Sequence, residues 1–98
     1  MTKAKAGAAG LPAYLQMVGG AVSIDFKDMP LSIDGGQVTE LKMREPRVSD
    51  QLMVEGQSAM KAEVAIFGNL CELDPGSVSA LTLKQYGRLQ EAYASFLV

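Results

Sequence analysis

The sequence contains no histidine and only one cysteine, Cys71, among its 98 residues. The absence of histidine excludes a Ser-His-Asp triad, a histidine general base and a histidine metal ligand. A single cysteine can form neither an internal disulfide nor a zinc site built from several thiolates. One thiol fits a reducing compartment, so we expect the protein in the cytoplasm.

Basic residues are also scarce. Nine Lys and Arg stand against eleven Asp and Glu, which gives a formal net charge of −2. Residues 1–49 carry a net charge of +1 and residues 50–98 carry −3. Proteins that bind nucleic acid normally show a basic stripe, which neither half has, so we expect no nucleic-acid partner.

Long apolar runs are missing as well. No stretch of 18 apolar residues is present, so we expect no transmembrane helix and no membrane partner. Residues 1–20 are rich in Ala and Gly, and Pro12 and Gln16 interrupt them before an apolar run of signal-peptide length can form. We interpret residues 1–20 as a flexible N-terminal arm and residues 21–98 as a single α+β domain, because this length supports one small core.

Residues 21–44 have the pattern of a β-hairpin. Val22, Ile24 and Phe26 alternate with polar residues, which is the period of a strand. Pro30 then interrupts, which predicts a bulge, a bend or a sheet edge at this point. The alternation resumes on the opposite parity, as one extra residue at a bulge would produce. The sequence Asp34-Gly35-Gly36-Gln37 predicts the turn that leads into the return strand.

After Pro46 the apolar period changes to that of helices. The first helical segment covers residues 49–73, with Ser49 as the predicted N-cap, and it is either one kinked helix or two helices. A short helix over 75–81 and a longer one over 83–97 follow, the latter opened by Thr82 and Gln85 as a capping box. The predicted fold class is therefore α+β, an N-terminal β-hairpin followed by about three α-helices.

The last helix has the clearest amphipathic pattern. Leu83 opens a stripe of apolar residues at helical spacing, and Lys84, Arg88 and Glu91 fall on the opposite, predicted solvent-facing side. Combining this stripe with those of the hairpin and the earlier helix predicts the core. Its expected members are Ile24, Phe26, Leu41, Val64, Phe67, Leu70, Leu83, Leu89 and Tyr93.

No arrangement of residues suggests catalysis. Asp25 with Asp28, and Glu72 with Asp74, are close carboxylate pairs that turns and helix ends explain. Cys71 has no histidine to activate it and falls on an apolar stripe, so we expect it to be buried. The tyrosines fit packing better than acid–base chemistry. We therefore expect no enzymatic activity, no catalytic residue, no cofactor and no metal.

From Met29 onward the chain resembles a family of phage tail assembly chaperones from Mu-like contractile-tailed phages and related prophages. The shared elements are Met29-Pro30-Leu31, the Asp34-Gly35-Gly36 turn, a strand ending in Leu41-Lys42-Met43-Arg44-Glu45-Pro46, Asp50, the leucine-rich turn Leu70-Cys71-Glu72-Leu73, and Leu81-Thr82-Leu83-Lys84-Gln85-Tyr86. The sequence departs from the family pattern at Gln85, where an acid is usual. Residues 1–20 fall outside the resemblance.

The resemblance implies a chaperone that binds the tape measure protein and keeps it soluble until the tail tube polymerises around it. Such a protein acts in the bacterial host cytoplasm and is absent from the mature virion. The tail tube protein is a further partner to consider. The alternative is a small structural or adaptor component of the tail that has no chaperone activity and remains in the particle.

The partner-binding surface predicted from the sequence centres on the C-terminal helix. Its apolar stripe runs to the Phe96-Leu97-Val98 tip and is wider than one internal contact requires. This surface would bind client helices or a second copy of the chain, unless the N-terminal arm folds back over it. The predicted partner-binding residues are Met43 and Arg44 from the strand motif and Tyr86, Tyr93, Phe96 and Leu97 from the helix.

Overall fold

Strands occupy the first part of the domain and helices the second. The computed structural model describes residues 10–98. Its elements are β1 (Leu15–Val18), β2 (Ala21–Asp25), β3 (Leu31–Ile33), β4 (Gly36–Val38), β5 (Glu40–Arg44), α1 (Val48–Leu52), α2 (Ala59–Cys71), α3 (Pro75–Ser79) and α4 (Leu83–Ser95). The predicted α+β class is confirmed, because antiparallel strands precede helices throughout.

The main sheet has three antiparallel strands in the order β1-β2-β5. Leu15 pairs with Ile24, and Ile24 pairs with Leu41, so these three side chains lie on the same face. All three are buried. Helix α2 packs against β5 and helix α4 against β2, which makes the fold a two-layer arrangement with the core between sheet and helices.

Strand β1 lies within the segment that the sequence analysis assigned to a flexible arm. It pairs with β2 through a two-residue turn at Gly19-Gly20. Gly19 has φ +63°, which a type II′ turn requires at its first central position and which glycine adopts without strain. The sheet therefore starts before residue 21, and residues 1–9 of the predicted arm lie outside the described residues.

The irregularity at Pro30 is larger than a bulge of one residue. Pairing between β2 and β5 ends at Asp25 with Glu40, and the β3–β4 pairing starts at Leu31 with Val38. Five residues, 26–30, therefore stand opposite Thr39 alone. We call residues 26–30 the excursion. Phe26, the first residue of the excursion, and Leu31, the residue directly after it, both lie in the core and have no exposed surface.

The predicted helical segment 49–73 is two helices. Gly56, with φ +89°, lies in the connection between α1 and α2. The N-cap of α1 is Arg47 and not Ser49, because the buried carboxylate of Asp50 accepts a hydrogen bond from the Arg47 backbone N–H at 2.8 Å. The N-cap of α2 is Ser58, whose hydroxyl oxygen accepts a hydrogen bond from the Lys61 backbone N–H.

The predicted capping box of α4 is confirmed. The Thr82 backbone N–H donates to Gln85 Oε1 at 2.9 Å, and the Gln85 backbone N–H donates to Thr82 Oγ1 at 3.1 Å. Gln85 Nε2 also donates to the carbonyl oxygens of Met29 and Pro30 in the excursion, at 3.2 and 3.1 Å. A carboxylate could not donate these two bonds, so glutamine at this position joins α4 to the excursion.

Most of the predicted core is buried, but the orientation of α4 differs from the prediction. Tyr86, Leu89 and Ala92 are its buried residues, whereas Leu83 is 85% exposed and was wrongly placed in the core. The Arg88 side chain, predicted to face solvent, is only 12% exposed. The buried predicted residues are Ile24, Phe26, Leu41, Phe67, Leu70 and Leu89, while Val64 and Tyr93 are half-buried.

Candidate partner-binding groove

Two of the six predicted partner-binding residues are buried. Met43 has no exposed surface and lies on the inner face of β5, so in this structure it is not accessible to a partner. Tyr86 is 5% exposed, and its hydroxyl donates to Glu63 Oε1 at 2.7 Å. Burial, together with this hydrogen bond to a carboxylate, raises the pKa of Tyr86.

Arg44 connects the sheet to α1. Its guanidinium donates two hydrogen bonds to the Asp50 carboxylate, at 2.8 and 3.0 Å. Asp50 is 3% exposed, and these bonds from Arg44 lower the pKa of its carboxyl group. The bidentate pair satisfies a buried charge, which is a structural role for a residue predicted to bind a partner.

We expect the free energy of unfolding to fall as the pH decreases from about 5 to about 2. In the folded protein Arg44 lowers the pKa of Asp50, and Arg88 lowers the pKa of Asp28. Such groups stabilise the fold above their unfolded pKa of about 3.9, and the stabilisation is lost as the pH falls through the folded pKa. Urea denaturation at several pH values measures this dependence.

The Asp50→Asn variant provides the control for this pH dependence. It removes one of the carboxyl groups whose pKa is lowered in the folded protein, so its stability should change less steeply across the acidic range. A variant with the same acid slope as the parent protein would show that Asp50 does not contribute.

The remaining three predicted residues lie near the C-terminal tip. The Tyr93 hydroxyl accepts a hydrogen bond from Gln51 Nε2 at 2.7 Å, and its ring centroid is 5.4 Å from that of Phe67. Phe96 packs against the core and is half-buried. Leu97 is 64% exposed, so it is the predicted residue most available to a partner.

A groove that the sequence analysis did not predict lies between α2, α3 and the start of α4. Its volume is about 580 Å³. Most of its wall is apolar, and Lys61 is the one charged residue that lines it. The lining residues are Gln57, Met60, Lys61, Val64, Ala65, Pro75, Val78, Ser79, Leu81, Leu83 and Tyr86.

The groove has a buried floor and an exposed apolar rim. Val78 and Tyr86 are buried, whereas Met60 is 56% and Leu83 85% exposed. Solvent exposure of two large apolar side chains beside a concave apolar surface is typical of a site that binds an apolar partner. Methionine and leucine side chains at the rim can also adapt to different partner shapes.

Helix α3 forms one wall because the chain turns tightly after α2. Glu72 adopts φ +59°, and the Leu73 backbone N–H donates to the Gly68 carbonyl at 2.7 Å, which ends α2 in a Schellman motif. A Cβ at Gly68 would lie 2.7 Å from the Leu73 carbonyl oxygen, so glycine permits this close approach. The Asp74 side chain then accepts from the backbone N–H of Ser77 at 2.9 Å and starts α3.

One rim residue, Leu83, was assigned to the core in the sequence analysis because periodicity counts it with an apolar stripe. Leu83 and the other rim residue, Met60, each fall in the first turn of a helix. Leu83 directly follows the N-cap Thr82, and Met60 is two residues after the N-cap Ser58. The first turn of a helix can extend past the edge of the elements that the helix packs against. A side chain in that turn can therefore match the apolar spacing of the helix and still be exposed to solvent. The capping residues were the available signal for this position.

The side chains that the sequence analysis considered for catalysis have structural roles. Asp28 receives two hydrogen bonds from Arg88, at 2.7 and 2.8 Å. Cys71 is buried as predicted, and burial raises the pKa of its thiol to about 12. Within residues 10–98, no three or more His, Cys, Asp or Glu side chains lie close enough together to hold a metal ion.

None of the helices in the described part of the chain is long and apolar enough to cross a membrane.

The α+β domain has an open apolar groove, a kind of surface on which apolar segments of other proteins can bind. A family model described as phage tail assembly chaperone proteins, E, or 41 or 14, matches residues 28–98. The chain therefore belongs to this family of phage tail assembly chaperones. The match covers residues 28–30 of the excursion, all four helices and every residue of the groove. Searches of curated proteins and of solved structures gave no match.

Proposed function

We propose that this protein binds the tape measure protein of its phage and keeps it soluble until the tail tube polymerises around it. Membership of the tail assembly chaperone family supports a role in tail assembly without catalysis. The observation that favours client binding is the apolar groove with its exposed rim at Met60 and Leu83. A chaperone of this kind acts in the host cytoplasm and leaves before the virion is complete.

The groove is large enough to bind part of a helix but not a whole helix. Its volume of about 580 Å³ falls within the range of small-ligand sites, so it accommodates a few apolar side chains. An amphipathic helix presents such side chains at spacings of three and four residues. A long client would therefore be covered by several copies of the chaperone, each holding one short apolar segment.

Replacing Leu83 by Gln is expected to reduce the amount of soluble tape measure protein several-fold when the two proteins are co-expressed. Leu83 is 85% exposed, so the substitution should change the free energy of unfolding by no more than about 0.5 kcal/mol. Loss of client solubility would then reflect loss of binding and not unfolding. The measurement is the soluble fraction of the client and its co-purification with the chaperone.

Leu97→Gln is the matched control, because Leu97 is also exposed, at 64%, but lies at the C-terminal tip. If Leu97→Gln reduces client solubility and Leu83→Gln does not, the tip predicted from the sequence is the binding surface. If the client is equally insoluble with and without the unmodified chain, the chaperone proposal is wrong. Finding the protein in purified particles would favour the structural or adaptor alternative.

A further inference from the structure

Helix α1 is oriented with its acidic residue inward and its large apolar residues outward. Asp50 is its one buried residue. Val48 and Leu52 are 76% and 62% exposed, and Met53, directly after the helix, is 66% exposed. Val48 and Leu52 are four residues apart, so they lie on the same side of the helix, opposite Asp50. We call Val48, Leu52 and Met53 the outer patch.

The ion pair between Arg44 and Asp50 holds α1 in this orientation. A helix of five residues is too short to be stable by itself in water. The Asp50 carboxylate accepts two hydrogen bonds from the Arg44 guanidinium and one from the Arg47 backbone N–H. Turning α1 so that the outer patch faced the core would break these bonds. The fold therefore keeps three large apolar side chains in solvent, which is typical of an interaction surface.

The charges at the two ends of α1 indicate which partner fits the outer patch. Arg47 precedes the helix and Glu55 follows it, and both are exposed. Within residues 10–98 neither side chain forms a salt bridge, and no exposed residue between them is charged. Two copies of α1 placed antiparallel about a two-fold axis would bring each Arg47 to the Glu55 of the other copy. The chain itself therefore supplies a surface of complementary charge.

We propose that the outer patch binds the same patch of a second copy of this chain, in a symmetric dimer with an Arg47–Glu55 pair at each end of the contact. None of the outer-patch residues lines the groove, so this surface is separate from the one proposed for the client. The inference does not rest on the proposed function. Each copy contributes three apolar side chains and two exposed charges, which is a small contact, so we expect a weak dimer with a micromolar dissociation constant.

Sedimentation velocity of the full chain at several concentrations measures this association. Leu52 lies near the midpoint between Arg47 and Glu55, so Leu52→Gln should weaken the dimer at least about tenfold. Leu52 is largely exposed, so the melting temperature of the variant should stay within about 4 °C of that of the parent protein. Leu83→Gln is the matched control, since it makes the same change at an exposed leucine on another surface and should leave the dimer unchanged. A parent protein that stays monomeric, or a Leu52→Gln variant that associates like the parent, would overturn the proposal.

Charge reversal at the two ends of α1 tests the antiparallel arrangement. Arg47→Glu alone, or Glu55→Arg alone, places like charges together twice in the symmetric dimer and should weaken it about tenfold at low salt. An equal mixture of the two variants should associate again, because both end pairs of the mixed dimer have opposite charges. This recovery should shrink at about 0.5 M salt, where exposed charges are screened. A mixture that associates no better than either variant alone would overturn the arrangement.

Lys42→Glu is the control for the change in net charge, because Lys42 is an exposed lysine on β5 and should leave the dimer unchanged. The client is the other candidate occupant of the outer patch. If the parent protein is monomeric and Leu52→Gln reduces the amount of soluble client, α1 binds the client and the inference is overturned. If the parent protein is monomeric and client solubility depends on Leu83, the inference fails and the proposed function stands.

Discussion

Replacing Phe67 by Ala is expected to lower the free energy of unfolding by about 3–5 kcal/mol. Phe67 lies in the middle of α2 and has no exposed surface. Its ring centroid is 5.4 Å from those of both Tyr86 and Tyr93 on α4, in tilted arrangements. Alanine would remove the buried ring and leave a cavity between the two long helices, which the surrounding structure can fill only in part.

Urea denaturation at neutral pH measures this loss. Domains of this size have total stabilities of about 5–15 kcal/mol, so the Ala variant should unfold at a much lower urea concentration. Phe67→Leu retains much of the volume and should cost clearly less, which separates the cavity effect from a general intolerance of substitution. A loss below about 1 kcal/mol for Phe67→Ala would contradict the packing described here.

Replacing Arg88 by Ala is expected to cost about 2 kcal/mol, although Arg88 lies on a helix face predicted to be solvent-exposed. Its guanidinium donates to the Asp25 carbonyl oxygen at 2.7 Å and lies 4.1 Å from the centre of the Tyr14 ring. It also pairs with Asp28 in the excursion. We assign the cost to the carbonyl bond and the ring contact, because Asp28 is 65% exposed and water screens that pair.

Three further variants identify the source of the Arg88 effect. Asp28→Asn should cost much less than Arg88→Ala, since it leaves the carbonyl bond and the Tyr14 contact in place. Arg88→Lys should restore only part of the stability, because lysine cannot make two parallel bonds to a carboxylate and one to a carbonyl. Lys84→Ala on the exposed face of α4 should not destabilise the protein. Equal effects of Arg88→Ala and Lys84→Ala would contradict the structural role of Arg88.

The order of strands and helices and the capping box of the last helix could be predicted from the sequence. The period of the apolar residues changes after Pro46, and the structure changes from strands to helices at that point. The capping box of Thr82 and Gln85 was predictable because its bonds span only three residues. Burial of Cys71 was predictable for a similar reason, since it follows the spacing of the apolar stripe on α2.

Features that depend on contacts between distant segments could not be predicted in this way. The pairing of β1 with β2 depends on a glycine turn and a partner strand more than on the short sequence Leu15–Val18 itself. The size of the excursion is fixed from outside it, by the bonds from Gln85 and Arg88 to its backbone and side chains. A parity change in the sequence indicates an irregularity in a strand but does not give its length.

The sequence by itself determined an α+β domain, the turn at Asp34-Gly35, the capping box of the last helix, and a resemblance to tail assembly chaperones that the family match supports. These properties depend on the spacing of residues that are close together in the chain, and that spacing can be read from the sequence. Only the tertiary structure decided which face of α4 meets the sheet, and with it the exposure of Leu83 and the burial of Arg88. The groove also depends on the tertiary structure. Helix periodicity fixes the relative positions of side chains around the helix axis, but packing against other elements decides which of these side chains are exposed to solvent.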